Sequence, residues 1–331
     1  MSAQTHTAAR AQKLLRRKGA LTPLILVMGF IGASLRYLLE CALPVNGGFP
    51  AATLVINIFG CFVLELLNQY VGRRMHLPGA LVKSLGVGLV GAFTTISAFS
   101  TECLAFLQAG EVGLWAAYIV ATLATTFLAS LAGHAACRGL DARRLAHIER
   151  RREAIHRAHA TRRAKVMREA DRAKGQARNA FAQEWGKDCE GNPTAEDSLP
   201  EDEGGQTMSP LLLVAVGFGG ALGALCRSKA TGFLKARTHG DFPVATLIIN
   251  ICSCTLAGIA LAVQADLNEV LYLAATMGFL GGFSTLSTMN YEAVELVLGG
   301  KRALGAGYLA ATYATTLGAA ALGFAIASAV M

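Results

Sequence analysis

The sequence predicts an all-α integral membrane protein built from two repeated four-helix transmembrane units, the third helix of each broken at mid-span. Three observations carry that prediction. Of 331 residues, 53% are hydrophobic and only 16% charged, with a mean hydropathy of +0.44, too apolar for a soluble domain. The apolar residues gather into eight runs long enough to cross a bilayer, near 21–40, 50–71, 82–107, 113–136, 210–230, 243–264, 271–298 and 303–330. The runs also repeat: FPAATLVINIFG (49–60) returns as FPVATLIINICS (242–253), GASLRYLLE (32–40) as GALCRSKAT (223–231), and YIVATLATT (118–126) as YLAATYATT (308–316). The copies lie about 190 positions apart in the same order, so one unit is written twice.

Along the chain, residues 1–20 carry Arg10, Lys13, Arg16, Arg17 and Lys18 before a span-length apolar run without a clear cleavage site. A basic cytoplasmic N-terminus is expected rather than a signal peptide. The first unit occupies 21–136 and the second 210–331. Between them, 137–209 is a polar linker. Its part from Arg138 to Arg178 holds 14 basic residues against 5 acids and no apolar run, which predicts a solvated basic helix. Leu145, Ile148, Ile155 and Val166 form a sparse stripe there, compatible either with contact to anionic lipid or with a plain charged spacer. No aromatics interleave the charges, so no nucleic-acid partner is expected. The following QEWGKDCEGNPTAEDSLPEDEGG is acidic and rich in Gly and Pro, the composition of a flexible tether. Cys61, Cys103, Cys252 and Cys254 fall in spans without metal-ligand spacing and are expected to pack as small apolar groups.

Polar residues inside the spans are the informative ones, because lipid offers them no partner. Asn57 and Asn250 hold equivalent places in the second span of each unit. Their amides suit either the replacement of a small anion's hydration shell or a bond between helices; the sequence leaves both open. In the fourth spans, Tyr118, Thr122 and Thr126 recur as Tyr308, Thr312 and Thr316. Steps of four residues drift only about 40° around a helix, so each set forms a ladder of hydroxyls on one face. A ladder of donors can pass an anion along, whereas threonines can also bond back to their own helix. In the third spans, GLVGAFTTISAFSTE (88–102) and GFLGGFSTLSTMNYE (278–292) place glycines and hydroxyls where a helix should continue. Backbone freed there could direct carbonyls at a bound cation, and two such breaks meeting near a pseudo-twofold axis would share one site.

Four motifs in this order, found twice, resemble the fluoride channel family (Fluc or CrcB): G-A-x-x-R in the first span, F-P-x-x-T-x-x-x-N in the second, the Gly-Thr-Ser break in the third, and Tyr with Thr four residues on in the fourth. The resemblance covers 20–136 and 210–331 and leaves the linker unmatched. It implies a passive, selective pathway for the fluoride ion across the lipid bilayer of the cell membrane, in antiparallel four-span pairs with two pores and a central structural Na+. It also implies roles: Asn57 and Asn250 as pore amides, the two hydroxyl ladders as the fluoride track, the carbonyls of Gly91, Thr94, Gly281 and Ser284 around the sodium, and Arg36 and Arg227 as the family's first-span arginine. No catalytic group is implied, and no nucleophile–base pair, phosphate loop or metal cluster suggests an enzyme.

Departures from the family pattern are informative. Two phenylalanines three residues apart in the third span, whose ring edges can line an anion path, are here Ile96 and Phe99, then Leu286 and Met289. Only Phe99 remains, which predicts that the pathway containing Phe99 conducts and the other is weak. Orientation is contested. Basic residues lie at the N-terminus, at Arg73, Arg74 and Lys83, and in the linker for the first unit, but at Lys229, Lys235, Arg237, Lys301 and Arg302 for the second, so charge bias inverts one unit against the other. Four spans and a linker that does not cross would instead leave the units parallel, pairing across chains rather than with each other. A small dual-topology multidrug exporter is the alternative function: Glu65 would be its proton-coupled carboxylate, although the matching residue is Gly258.

Overall fold

The computed structural model describes residues 21–43, 48–72, 77–176 and 210–330. Expectations for residues 1–20, for Arg73 and Arg74, and for the acidic tether lie outside the described residues, as do the side chains of Leu145, Ile148, Ile155 and Val166. Eight helices of membrane length are present among the described residues: α1 (Leu21–Ala42), α2 (Ala51–Val71), α3 (Gly79–Gln108), α4 (Val112–Gln176), α5 (Pro210–Lys235), α6 (Val244–Ala262), α7 (Glu269–Leu298) and α8 (Arg302–Val330). Away from the breaks in α3 and α7, backbone polar groups are satisfied within each helix, which is what lets such segments lie in hydrocarbon. Residues 21–137 and 210–330 make one compact unit; 138–176, a basic stretch that is helical throughout, belongs to a second.

Between the two four-span halves, the pairing of α1 with α5 sets the geometry. Gly29 faces Ala224 and Ala221, Ala33 faces Gly220, and Phe30 and Ser34 face Gly217. Rising numbers on α1 therefore meet falling numbers on α5, and the two helices are antiparallel. Small residues at the crossing let the backbones approach closely, the usual source of helix affinity in lipid. The phenyl rings of Phe30 and Phe218 close the seam edge to face at 5.4 Å.

Antiparallel packing sorts charge by face. Lys83 and Lys229 line one cleft beside Leu21, and Lys235 lies in an adjoining one with Lys83. At the other end of α1, Glu40 and Glu269 lie near Tyr37. Basic residues from both halves thus share the end where α1 starts. Charge bias, rather than parity, agrees with the arrangement of the helices.

The breaks sit where the sequence pattern predicts them. In α3 the helix runs through a wide π-type stretch, Ser84–Val90, and a last short turn, Gly91–Phe93, before Thr94 turns extended at φ −89° and ψ 148°. In α7 the same occurs over Ala274–Leu280 and Gly281–Phe283, with Ser284 at φ −77° and ψ 167°. π-type turns widen the ladder and are frequent at functional sites. Helix resumes at Ser97 and Ser287. Thr95 and Thr285 assist the restart: their hydroxyl oxygens accept from the N–H of Ala98 and Thr288, both at 3.2 Å, as residues opening a helix do. Each broken helix then ends on a glycine with positive φ, Gly110 at 75° and Gly300 at 86°, a turn only glycine makes without strain.

Candidate functional site

Three residues at each break, Thr94–Ile96 and Ser284–Leu286, fall outside the helix, and specific side chains take up the backbone groups freed there. Asn57 Nδ2 donates to the Thr95 carbonyl at 3.0 Å and its Oδ1 accepts from the Thr95 N–H at 2.9 Å. Asn250 does the same for Thr285, at 3.0 Å in both directions. Of the two roles open to these amides, the geometry displays the brace; one Nδ2 hydrogen on each remains for another acceptor.

The two breaks interlock across the pseudo-twofold axis. Thr94 Oγ1 hydrogen-bonds Ser287 Oγ at 2.8 Å. On the other side, Ser284 Oγ lies 3.1 Å from Ser97 Oγ and 3.3 Å from Thr95 Oγ1, while Thr95 and Ser97 are 3.0 Å apart. All five residues are fully buried. A knot of hydroxyls with both halves contributing ties the breaks together, since buried hydroxyls are costly unless paired.

Arginines from the first helix of each half reach the same junction. Arg227 Nη1 donates to the Gly91 carbonyl at 3.2 Å and to the Ser284 carbonyl at 3.0 Å, and its Nη2 donates to Val87 O. One guanidinium thereby joins a carbonyl of each break. Arg36 Nε donates to Ala92 O at 3.3 Å, and its Nη1 lies 3.7 Å from Glu40; the position matching Glu40 is Thr231. The glycines explain the close approach: a Cβ on Gly91 would collide with the Arg227 guanidinium, and one on Gly281 with that of Arg36.

Each hydroxyl ladder begins at a half-buried carboxylate that the sequence reading passed over. Glu102 accepts from Thr53 Oγ1 at 2.5 Å and from the Tyr118 hydroxyl at 2.6 Å. Glu292 accepts from Thr246 and Tyr308, both at 3.0 Å, with Lys235 Nζ at 3.8 Å. The signal was in plain view, since both glutamates close the repeated motif and precede their tyrosines by the same step. Above the tyrosines the threonine ladders mostly bond back to their own helix. Thr126 Oγ1 donates to Thr122 O at 2.6 Å, Thr312 Oγ1 to Tyr308 O at 2.8 Å, and Thr316 Oγ1 to Thr312 O at 2.7 Å. Thr122 Oγ1 lacks a partner. The expected faces are therefore present, but three of the four threonine hydrogens are in use.

Phe99 is fully buried, 5.1 Å from the Tyr118 ring and 5.5 Å, edge to face, from Tyr313. It borders the ladder of α4. Ile96, Leu286 and Met289 join it in one buried cluster.

Two segments, 23–134 and 214–324, match the model of the family described as CrcB-like protein, Camphor Resistance (CrcB). The chain belongs to the CrcB-like family. Both matches bracket a complete set of second-span amide, third-span break and fourth-span ladder, so this CrcB-like chain carries the family unit twice. Among its relatives, Fluoride-specific ion channel FluC 2 of Geobacillus kaustophilus is 41% identical over 112 residues, 33% of this chain and 87% of that protein. Fluoride-specific ion channel FluC 2 of Listeria innocua is 38% identical over 97 residues, 29% of this chain and 74% of that protein. Fluoride-specific ion channel FluC of Oceanobacillus iheyensis is 42% identical over 100 residues, 30% of this chain and 73% of that protein. These relatives are ion channels, not enzymes.

Proposed function

We propose that this protein is a fluoride-selective ion channel that lowers cytoplasmic fluoride by passive export across the cell membrane. The observation that carries the reading is the doubled family unit, whose two helix breaks interlock beside two ladders of buried hydroxyls. A small, strongly hydrated anion enters lipid only if donors replace its water, and the residues proposed to line that path are Asn57, Phe99, Tyr118, Thr122, Thr126, Asn250, Tyr308, Thr312 and Thr316. The spare amide hydrogens of Asn57 and Asn250 and the ring edge of Phe99 supply positive potential without a fixed charge. That balance matters, because a full positive charge would hold the ion rather than pass it. The two four-span units pair with each other to form these paths.

A structural Na+ is part of the proposal. Gly91 O and Ser284 O lie close enough to share a single donor atom of Arg227, so carbonyls of both breaks converge on one region, and hard carbonyl oxygens suit sodium. Gly91, Thr94, Gly281 and Ser284 would hold the ion through their carbonyls. When bound it would supply one positive charge that draws the two halves together. The multidrug-exporter alternative is disfavoured by Glu65, whose Oε1 sits 3.2 Å from His134 Nδ1 within its own half and whose counterpart is Gly258.

Proteoliposomes loaded with fluoride and, separately, chloride test the reading with ion-selective electrodes. Fluoride efflux without chloride efflux is expected; release of both ions or of neither refutes it.

A further inference from the structure

Buried polar atoms without well-formed hydrogen bonds are unevenly divided between the ladders. Thr122 Oγ1, Ser130 Oγ, Asn290 Oδ1 and Tyr313 Oη are all buried and make no hydrogen bond of regular geometry among the described residues, and all four belong to the ladder of α4 and its surroundings. Their counterparts on the ladder of α8 carry no such demand. Thr312 bonds back to Tyr308 O at 2.8 Å, the residue matching Ser130 is Ala320, that matching Tyr313 is Leu123, and that matching Asn290 is Ser100, whose Oγ lies 3.5 Å from Cys254 Sγ.

Contacts fix how these atoms are grouped. Asn290 Nδ2 donates to Thr126 Oγ1 at 3.3 Å and to Leu286 O at 3.2 Å, which identifies the idle amide atom as the oxygen, because only nitrogen can donate to a backbone carbonyl. The Cys61 thiol is a weak partner for both Ser130 and Asn290, and the Thr126 hydroxyl one for Tyr313, none of them in regular hydrogen-bond geometry. Thr122 is one helical turn, about 6 Å, nearer the Tyr118 mouth. Four helices, two from each half, thus surround one polar spot in an otherwise apolar core. Buried polar atoms without well-formed hydrogen bonds are costly, and native proteins rarely leave several together. The group calls for a ligand that can both accept from hydroxyls and return a hydrogen to the amide oxygen.

We infer that Asn290, Ser130 and Tyr313 form an anion station on the α4 ladder alone, holding a partly dehydrated fluoride ion together with one water molecule. The inference rests on the fluoride-channel reading. The Ser130 and Tyr313 hydroxyls donate to the anion, Asn290 Oδ1 accepts from the accompanying water, and the same amide's nitrogen positions Thr126. Thr122 supplies the next donor on the way to the Tyr118 mouth. The α8 ladder, with Ala320, Leu123 and Ser100 in these places, has no station.

Replacing each residue by the one its counterpart already uses tests this with little risk to folding. In liposomes, Asn290→Ser and Ser130→Ala should each slow fluoride efflux tenfold or more, whereas Ala320→Ser on the other ladder should leave it unchanged. Independently of conduction, exchanging sodium chloride for sodium fluoride should raise the thermal midpoint of the purified wild-type protein, and Asn290→Ser should abolish that shift. Wild-type efflux together with an intact fluoride shift in both α4-ladder variants overturns the station while leaving the channel standing. A wild-type protein that moves no fluoride overturns the channel reading, and the station with it.

Discussion

Asn57→Ala removes the brace from one helix break, and its cost follows from the bonds it breaks. The side chain holds both backbone groups of Thr95, at 3.0 and 2.9 Å, and Thr95 is fully buried. Neither group has water to turn to, so each stranded group costs about 1–3 kcal/mol and the pair about 2–6 kcal/mol. Thr95 also caps the restarted helix through Ala98, so the damage should spread into Ser97–Gln108. Asn57→Asp separates the contributions: the carboxylate still accepts from the Thr95 N–H but opposes its carbonyl, so it should also destabilise the break. Equilibrium unfolding in denaturing detergent measures the loss, with fluoride efflux from liposomes read in parallel. A brace predicts that stability and efflux fall together. Should Asn57→Ala lie within about 1 kcal/mol of wild type while efflux disappears, the amide serves the ion and not the fold, and the reasoning fails.

Phe99→Ile should slow fluoride efflux, because it removes the aromatic edge beside the α4 ladder; equal rates for the two proteins in liposomes would sink the idea that this pathway carries the current. Gly91→Ala and Gly281→Ala should each destabilise the protein by about 1–3 kcal/mol or more through collision with a buried guanidinium, whereas Gly113→Ala, which meets nothing nearby, should be silent in the same thermal melt. Single cysteines replacing Lys83 and Asp266, in a background freed of exposed native cysteines, should react with an impermeant thiol reagent from opposite sides of the membrane. Labelling of both from one side would contradict an antiparallel pair within the chain.

Helix number, break positions and ladders were legible in the sequence because each depends on one strand of information: apolar length, local Gly and Thr content, or a step of four. The partners were not. Periodicity tells which residues share a face, and Tyr118, Thr122 and Thr126 do share one, but it does not tell whether their hydrogens point outward or back to the preceding turn. Thr126, Thr312 and Thr316 point back. Likewise Asn57 and Thr95 are 38 positions apart, and only the packing of α2 on α3 joins them; Arg227 and Gly91 are 136 apart, and only the folding of both halves against each other does. Glu102 and Glu292 are different, since the repeat displayed them and a reading centred on glycines and hydroxyls passed them by. The π-type stretches before the breaks left no distinct mark, as their residues suit an α-helix equally well.

Fusion of two units explains why the asymmetry can exist at all. In a pair of identical subunits every residue appears on both sides of the axis, so a change that adds a donor to one ladder adds it to the other. Here the shared junction has kept its counterparts: Gly91 and Gly281, Asn57 and Asn250, Ser97 and Ser287, Arg36 and Arg227. These residues join the two halves or brace the break itself, and losing one harms both pathways. Away from the junction the halves have separated, with Phe99 against Met289, Ser130 against Ala320, Leu123 against Tyr313 and Glu65 against Gly258. Each of those positions touches one ladder or one half, so it can change without breaking the axis. The pattern of what matches and what differs thus follows the physical reach of each side chain, and it concentrates polar atoms without well-formed hydrogen bonds on the path that also keeps Phe99.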